Sequence, residues 1–371
     1  MVAAASVVVA VGTATGMMSA LADGHGADEA RPRATGSPRL EQLPVVPSAS
    51  ATVTKSASPK PSSSRKPSPS PARTVPEPRP TPASAGLYRH PVSQVLDWVR
   101  AHPDDPRTPV IESRIADQPA AVWFADFTPS TIASRVRAVT SGAAAQGRVP
   151  VVVPYAIPER DCGGASQGGA PDLDAYDDWI DDFADGLGTG EVVVVLEPDS
   201  IAQSACLSDD ERADRFASLA RAGRVLKAAD PKARVYYDAG HSGWNEPAEQ
   251  ASLLKRAGAA SAASSDGIFS NVSNFQATAD EIAYDRDVLA ALGGPASLGA
   301  VIDTSRNGNG APADGQWCDP AGRKIGRAPT LATGQARIDA YLWVKLPGES
   351  DGCKGSPGTF SPSYAYALAS S

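Results

Sequence analysis

The sequence predicts an α/β fold: a distorted (β/α) barrel of about seven parallel strands, with its working face at the carboxyl ends of those strands. Three observations lead there. Short β-branched runs recur between Ala121 and Leu346. Their apolar residues are continuous rather than alternating, as in strands covered on both faces. Helical stretches separate most of them, the pattern of crossover connections in a parallel sheet. In order, strands are expected over 121–124, 149–155, 191–197, 233–238, 267–272, 298–303 and 340–346. Helices are expected over 132–146, 173–187, 209–229, 246–259 and 279–292. The run Val192-Val193-Val194-Val195-Leu196 has the composition of a central strand.

What precedes the barrel is of another kind. Residues 2–22 carry no charge, and Ala20-Leu21-Ala22 is a small-residue cleavage site before Asp23-Gly24-His25. This is the form of a signal peptide over 1–22, or of a membrane anchor if it is not cleaved. Residues 23–85 are rich in Pro, Ser, Ala and Thr and cannot bury a core, so a disordered linker is expected there. The folded domain is expected over 86–371. Residues 1–85 hold nine Lys/Arg against five Asp/Glu, whereas the whole chain holds 34 against 42. The folded part is therefore strongly acidic, which excludes nucleic acid as its main partner. No later segment is apolar enough to span a membrane, so no obligate membrane contact is expected. The chain is expected to be secreted and to act as a monomer.

All four cysteines, Cys162, Cys206, Cys318 and Cys353, fall in the folded part. An even number in an exported chain suggests two disulfides, and spacing leaves all three pairings open. No C-x-x-C pair exists and the four His are scattered, so neither a metal nor a cofactor is expected.

Each expected strand is followed by polar or aromatic residues. They are Trp123; Tyr155 with Arg160-Asp161; Glu197-Pro198-Asp199; Asp238 with His241 and Trp244; Asn274; Asp303 with Arg306; and Lys345, Glu349 and Asp351. In parallel α/β folds the site forms at this face. A single such Asp would be an ordinary loop residue or helix cap, but seven consecutive strand ends make a set. Several carboxylates with Trp123, Trp244 and Trp317 suit a sugar, whose C–H faces pack on indole rings. Glycosidic bonds are cleaved by a paired carboxylic acid and carboxylate. Gly240-His241-Ser242-Gly243 has the start of a serine-hydrolase elbow, but Trp244 occupies the place of the last Gly. A non-hydrolytic glucan-binding protein would keep the Trp residues and lose the acid.

Two long segments go further. Val153-Pro154-Tyr155-Ala156-Ile157-Pro158-Glu159-Arg160-Asp161-Cys162-Gly163-Gly164-Ala165-Ser166 and Val194-Val195-Leu196-Glu197-Pro198-Asp199-Ser200-Ile201 closely resemble the signature stretches of glycoside hydrolase family 6, the inverting cellulases. Tyr237 to Trp244, Asn271 to Asn274 and Trp343 to Gly352 resemble the family as well. The resemblance implies a β-1,4-glucan substrate and a residue-by-residue set of roles. Asp199 is the implied general acid. Asp161 is the implied partner that raises its pKa and orders the water. Asp351 is the implied base, and Asp238 a further carboxylate of the centre. Tyr155 is implied to crowd the sugar ring at the cleavage point. Trp123, His241, Trp244, Asn274, Trp317, Lys345 and Glu349 are implied to hold glucosyl units, and Arg306 is placed with them or paired to carboxylates. The family often has a carboxylate two residues after the first Trp; here that residue is Ala125, with Asp126 next. The resemblance favours Cys162–Cys206 and Cys318–Cys353. Exo-acting members, the cellobiohydrolases, roof the cleft with two long loops. The 34 residues from Asp319 to Gly352 must also supply a final helix and the strand ending at Leu346, which leaves little chain for a lid. Endo action is therefore expected, with cellobiohydrolase as the alternative.

Overall fold

A computed structural model describes residues 86–371. The segments expected to be a signal peptide and a linker, 1–22 and 23–85, lie outside the described residues. Seven strands form one sheet in sequential order, each pair of neighbours parallel. They are β1 (Val122–Phe124), β2 (Val151–Pro154), β3 (Val192–Leu196), β4 (Ala233–Asp238), β5 (Gly267–Ser270), β6 (Gly299–Asp303) and β7 (Ile338–Leu342). The helices are α1 (Gln94–Ala101), α2 (Thr108–Ile111, running into a π-helical turn at Glu112–Ala116), α3 (Ile132–Ala145), α4 (Leu173–Asp185), α5 (Asp209–Ala229), α6 (Pro247–Arg256), α7 (Thr278–Leu292) and α8 (Pro362–Ser370).

The continuous apolar runs serve two cores through the two-residue period of a strand. Val151, Val153, Val193, Val195, Tyr236, Phe269, Val301, Ala340 and Leu342 point inward and fill the curled sheet. Val152, Val192, Val194, Leu196, Val235, Ile268, Ala300 and Ile302 point outward onto the helices. The curl brings the chain before β1 against the chain after β7. Ala121 N donates to Trp343 O at 2.9 Å, and the Trp123 indole donates to Val344 O at 2.8 Å. The fold is thus the distorted seven-stranded barrel expected.

Two expectations fail locally. The last strand ends at Leu342 rather than 346. The N–H groups of Val344 and Lys345 donate to the Asp303 carboxylate at 3.3 and 3.1 Å, not to a neighbouring strand. No helix lies between Cys318 and Cys353. Residues 304–337 are irregular and tied down by bridges from Asn307 to Lys324 and from Thr330 to Tyr341. The last helix is α8, which follows both cysteines. With α1 and α2 it builds a third cluster around Val95, Ile111, Ile115, Trp343 and Leu368.

Candidate active site

The carboxyl ends of the strands open into one cleft of about 1380 Å³. Trp123, Tyr155, Asp161, Asp199, His241, Trp244, Asn274, Trp317, Lys345, Glu349 and Asp351 all line it. Asp238 and Arg306 do not; both are buried beneath it. Backbone strain gathers at this face. Glu159, Asp161, Cys162, Glu197, Asp199, Asn271, Ser273 and Asp319 all hold positive φ, a conformation that costs a non-glycine residue and persists where surrounding structure enforces it.

Asp199 follows β3 on a turn anchored from below. The preceding Glu197 is buried and accepts from Ala156 N and Ile157 N at 3.0 and 3.1 Å, which fastens the turn to the end of β2. Asp238 ends β4. Its carboxylate accepts from Ile201 N, Ala202 N and Gly240 N at 3.1, 2.8 and 2.9 Å, fixing the chain just after Asp199. Burial, then the charges of Asp238 and Asp161, push the Asp199 carboxyl up to about 8. Burial raises Asp238 as well, against the pull of its backbone donors.

Asp161 sits on a 3₁₀ turn (Arg160–Gly163) after β2. Ser166 holds it twice, through N and Oγ to Oδ2 at 2.8 and 2.9 Å, and Ser166 Oγ also meets Tyr155 OH at 2.9 Å. Arg160 clamps the loop. Its guanidinium bonds Ala125 O at 2.7 Å, Ser166 O at 2.8 Å and Tyr155 O, and lies 4.4 Å over the Tyr155 ring. Tyr155 in turn meets the Trp123 ring edge to face, 5.2 Å between centroids. Asp126 is exposed on the cleft rim.

Asp351 stands in a different setting. Its carboxylate pairs with Arg306 Nη1 at 2.7 Å and with Lys345 Nζ at 3.4 Å. Arg306 is fully buried and pairs with Asp351, the carboxylate pairing that is the second of its two expected places. Asp319 and Asp351 grip one another. Asp319 N donates to Asp351 Oδ2 at 3.1 Å, and Asp351 N donates to Asp319 Oδ1 at 2.8 Å. Asp319 also accepts from Ser350 Oγ, Cys353 N and Lys354 N. The Cys318–Cys353 disulfide closes the same knot, and Cys162–Cys206 ties the Asp161 loop to the chain after Asp199. Burial pushes Glu349 up to about 7.

The remaining lining groups are flat or neutral donors. Trp244 and Trp317 are 41% and 58% exposed, large apolar faces turned to solvent. His241 packs 4.5 Å from the Trp244 ring, and burial holds its pKa down at about 4. Its Nδ1 accepts from Gly243 N at 3.0 Å, which assigns the proton to Nε2. Asn274 is oriented by donation to Val272 O at 3.0 Å. The loops bearing Asp161 and Asp351 approach at one point: a Cβ on Gly352 would lie 3.8 Å from the Ala165 Cβ.

Sequence reasoning gave no role to Ser166, Arg160, Glu197, Asp303 or Asp319. Ser166 and Arg160 lie within the quoted signature stretch, which was the available signal. Glu197 and Asp303 stood among the polar strand ends without a role of their own, and Asp319 carried no signal.

A carboxyl pushed up to about 8 and another paired with two cations, both lining one cleft, match the demand of glycosidic bond cleavage for one acid and one base. The solvent-facing indoles suit a sugar chain, so the fold and site define a glycoside hydrolase. The chain belongs to the glycosyl hydrolases family 6, whose model matches residues 84–368. It is 54% identical over 273 residues to endoglucanase 1 of Streptomyces sp. (strain KSM-9), covering 73% of this chain and 75% of that one. It is 50% identical over 283 residues to endoglucanase A of Thermobispora bispora, covering 76% of this chain and 61% of that one. Among solved structures it resembles the endoglucanase Cel6 of Mycobacterium tuberculosis in complex with methyl-cellobiosyl-4-deoxy-4-thio-β-D-cellobioside. That likeness has 38% identity and a TM-score of 0.71, over 77% of this chain and 97% of that one.

Proposed function

We propose that the chain hydrolyses internal β-1,4-glucosidic bonds of cellulose and related β-glucans, with inversion at the anomeric carbon. The observation that carries this reading is Asp199 lining a cleft with exposed indoles, its carboxyl pushed up to about 8 by burial and by the neighbouring Asp238 and Asp161. A glucan chain would lie across Trp123, Trp244 and Trp317, with His241 Nε2–H and Asn274 meeting its hydroxyls. Tyr155, braced by Arg160 and Trp123, crowds the ring at the cleavage point. Asp199 protonates the leaving glycosidic oxygen. A water held near Asp161 and Ser166 attacks from the other face, and Asp351, charge-balanced by Arg306 and Lys345, takes up its proton.

Endo action is supported by the endoglucanase names of the relatives. The approach of Ala165 to Gly352 favours a second reading, a roofed passage with cellobiose release from chain ends. Viscosity of carboxymethylcellulose against reducing sugar released separates the two. The endo reading expects an early fall in viscosity at little sugar release; slow viscosity loss with cellobiose as the main early product would overturn it. The uncharged stretch 2–22 and two disulfides support export to an oxidising compartment. The test is recovery of the folded domain from the medium with both disulfides formed.

A further inference from the structure

Helix α7 carries two acids one turn apart, Glu281 and Asp285, and neither is exposed at all. Each is half satisfied. Glu281 Oε1 accepts from Ser242 N at 2.9 Å, and Asp285 Oδ2 accepts from Ser270 Oγ at 3.1 Å. The other two oxygens, Glu281 Oε2 and Asp285 Oδ1, have no partner. Residues four apart on a helix are neighbours, with about 5–6 Å between their Cβ atoms, so two unpartnered acceptors belong to adjacent side chains in a dry site. Two anions there would have only the donors of Ser242 and Ser270 to offset them. The groups acting on the pair are Ser242 from the loop after β4, Ser270 from β5 and Asp280 on α7 itself. Tyr284, also on α7, spends its hydroxyl on Ala239 O at 2.9 Å, and the acids near it are Asp238 and Glu246. No Lys or Arg appears among these groups, and neither acid forms an ion pair among the described residues.

We infer that Glu281 and Asp285 share a single proton between Oε2 and Oδ1, and that this pair fastens the loop carrying His241 and Trp244 to α7. One donor placed between two orphaned acceptors satisfies both and leaves one negative charge rather than two. The charge that remains strengthens the bond from Ser242 N. That bond lies in the stretch between His241 and Trp244, the two rings that line the cleft. Burial raises both acids, Asp285 furthest, in keeping with a retained proton. Loss of the proton would set two anions against each other behind the loop and loosen it. The shared proton stands apart from the hydrolase reading; its effect on glucan binding rests on that reading.

The sign of the pH effect follows from linkage. An acid raised in the folded state contributes stability that is present below the ordinary carboxyl range and lost as pH rises toward the folded value. Asp285→Asn and Glu281→Gln replace the neutral donor by an amide that never ionises. All other raised acids remain and cancel in the comparison. The melting temperature of each variant, minus that of the wild type, should therefore rise by several degrees from about pH 5 to about pH 8. A difference independent of pH overturns the shared proton. Failure of both variants to fold at any pH also overturns it, since an amide should serve as the donor. A fall in the wild-type melting temperature on adding EDTA would put a cation between the acids instead, and overturn it too. For the loop, affinity for a soluble cello-oligosaccharide is measured in the Asp199→Asn background, where cleavage and Asp199 titration are removed. Affinity should weaken several-fold over the same pH range, and adding Asp285→Asn should flatten that change. A flat profile in Asp199→Asn alone refutes the fastening, whereas absence of any oligosaccharide binding refutes the hydrolase reading instead.

Discussion

The carboxylates after β2, β3 and β4 and the carboxylate after β7 surround one cleft under opposite electrostatic conditions. Asp199, Asp161 and Asp238 gather without a cation in hydrogen-bonding contact, and burial with mutual repulsion lifts Asp199 to about 8. Asp351 has Arg306 at 2.7 Å and Lys345 at 3.4 Å. The residue type is the same; the neighbours differ, and on the proposed mechanism that difference separates the proton donor from its charged counterpart. Each side also has its own disulfide, Cys162–Cys206 for the first and Cys318–Cys353 for the second. Lys345 is shared, pairing with Asp351 and pulling Asp199 down, but each disulfide can be broken on its own.

The largest effect should come from the acid. Asp199→Asn should slow hydrolysis of unactivated β-1,4-glucan by about 10²–10⁴-fold, because an amide cannot supply the proton. Turnover of a substrate with a very good leaving group should fall far less, and oligosaccharide binding should persist. Steady-state kinetics on both substrates check this. On the other side, Arg306→Leu leaves the buried Asp351 carboxylate with only the longer Lys345 contact as its ion pair. It should cost about 3–5 kcal/mol in urea unfolding, and turnover should fall with it.

Breaking a disulfide tests whether the halves are independent. In the chain-entropy model, bridges over 44 and 35 residues each contribute about 4 kcal/mol. Cys318→Ser with Cys353→Ser should free the Asp319–Asp351 knot and lower turnover while the alkaline limb of activity, expected near 8 from Asp199, stays in place. Cys162→Ser with Cys206→Ser should instead move that limb, because it releases Asp161. A smaller effect concerns stability against pH. Burial raises Glu197 and Glu349 to about 7, so their contribution is present in mild acid and lost as pH climbs through 7. Asp319 is lowered by Ser350 and backbone donors, so its contribution runs the other way and is lost in acid. Because the raised groups outnumber it, the urea midpoint should decline from about pH 5 to about pH 8.

Much of this was legible in the sequence, for identifiable reasons. The strands announce themselves because strands covered on both faces are largely apolar, Val192 to Leu196 entirely so, though β4 and β7 carry Arg234 and Asp339. Helices α3 to α7 follow from alternation with those strands. Helices α1, α2 and α8 do not alternate with strands; they pack on one another and on Trp343, so the same signal misses them. The last strand was read too long because Val344 and Lys345 look like strand residues while their N–H groups go to a side chain, Asp303. Lining residues were legible as polar groups after strands. Depth was not: nothing local shows that Arg306 lies under the cleft or that Asp319, Glu197 and Glu281 spend their carboxylates on backbone N–H groups. Those roles depend on contacts across 32 to 41 residues of chain.

The most direct measurement of the central contrast is the pH dependence of kcat/KM on a soluble β-glucan, for wild type and for Asp161→Asn. Asp199 must hold its proton to act, so wild-type activity should fall along an alkaline limb near 8. Removing the Asp161 charge removes part of what raises Asp199, so the limb of Asp161→Asn should move to lower pH, whatever the variant's remaining rate. A limb that stays in place, or moves upward, would contradict the account that neighbouring negative charge keeps Asp199 protonated.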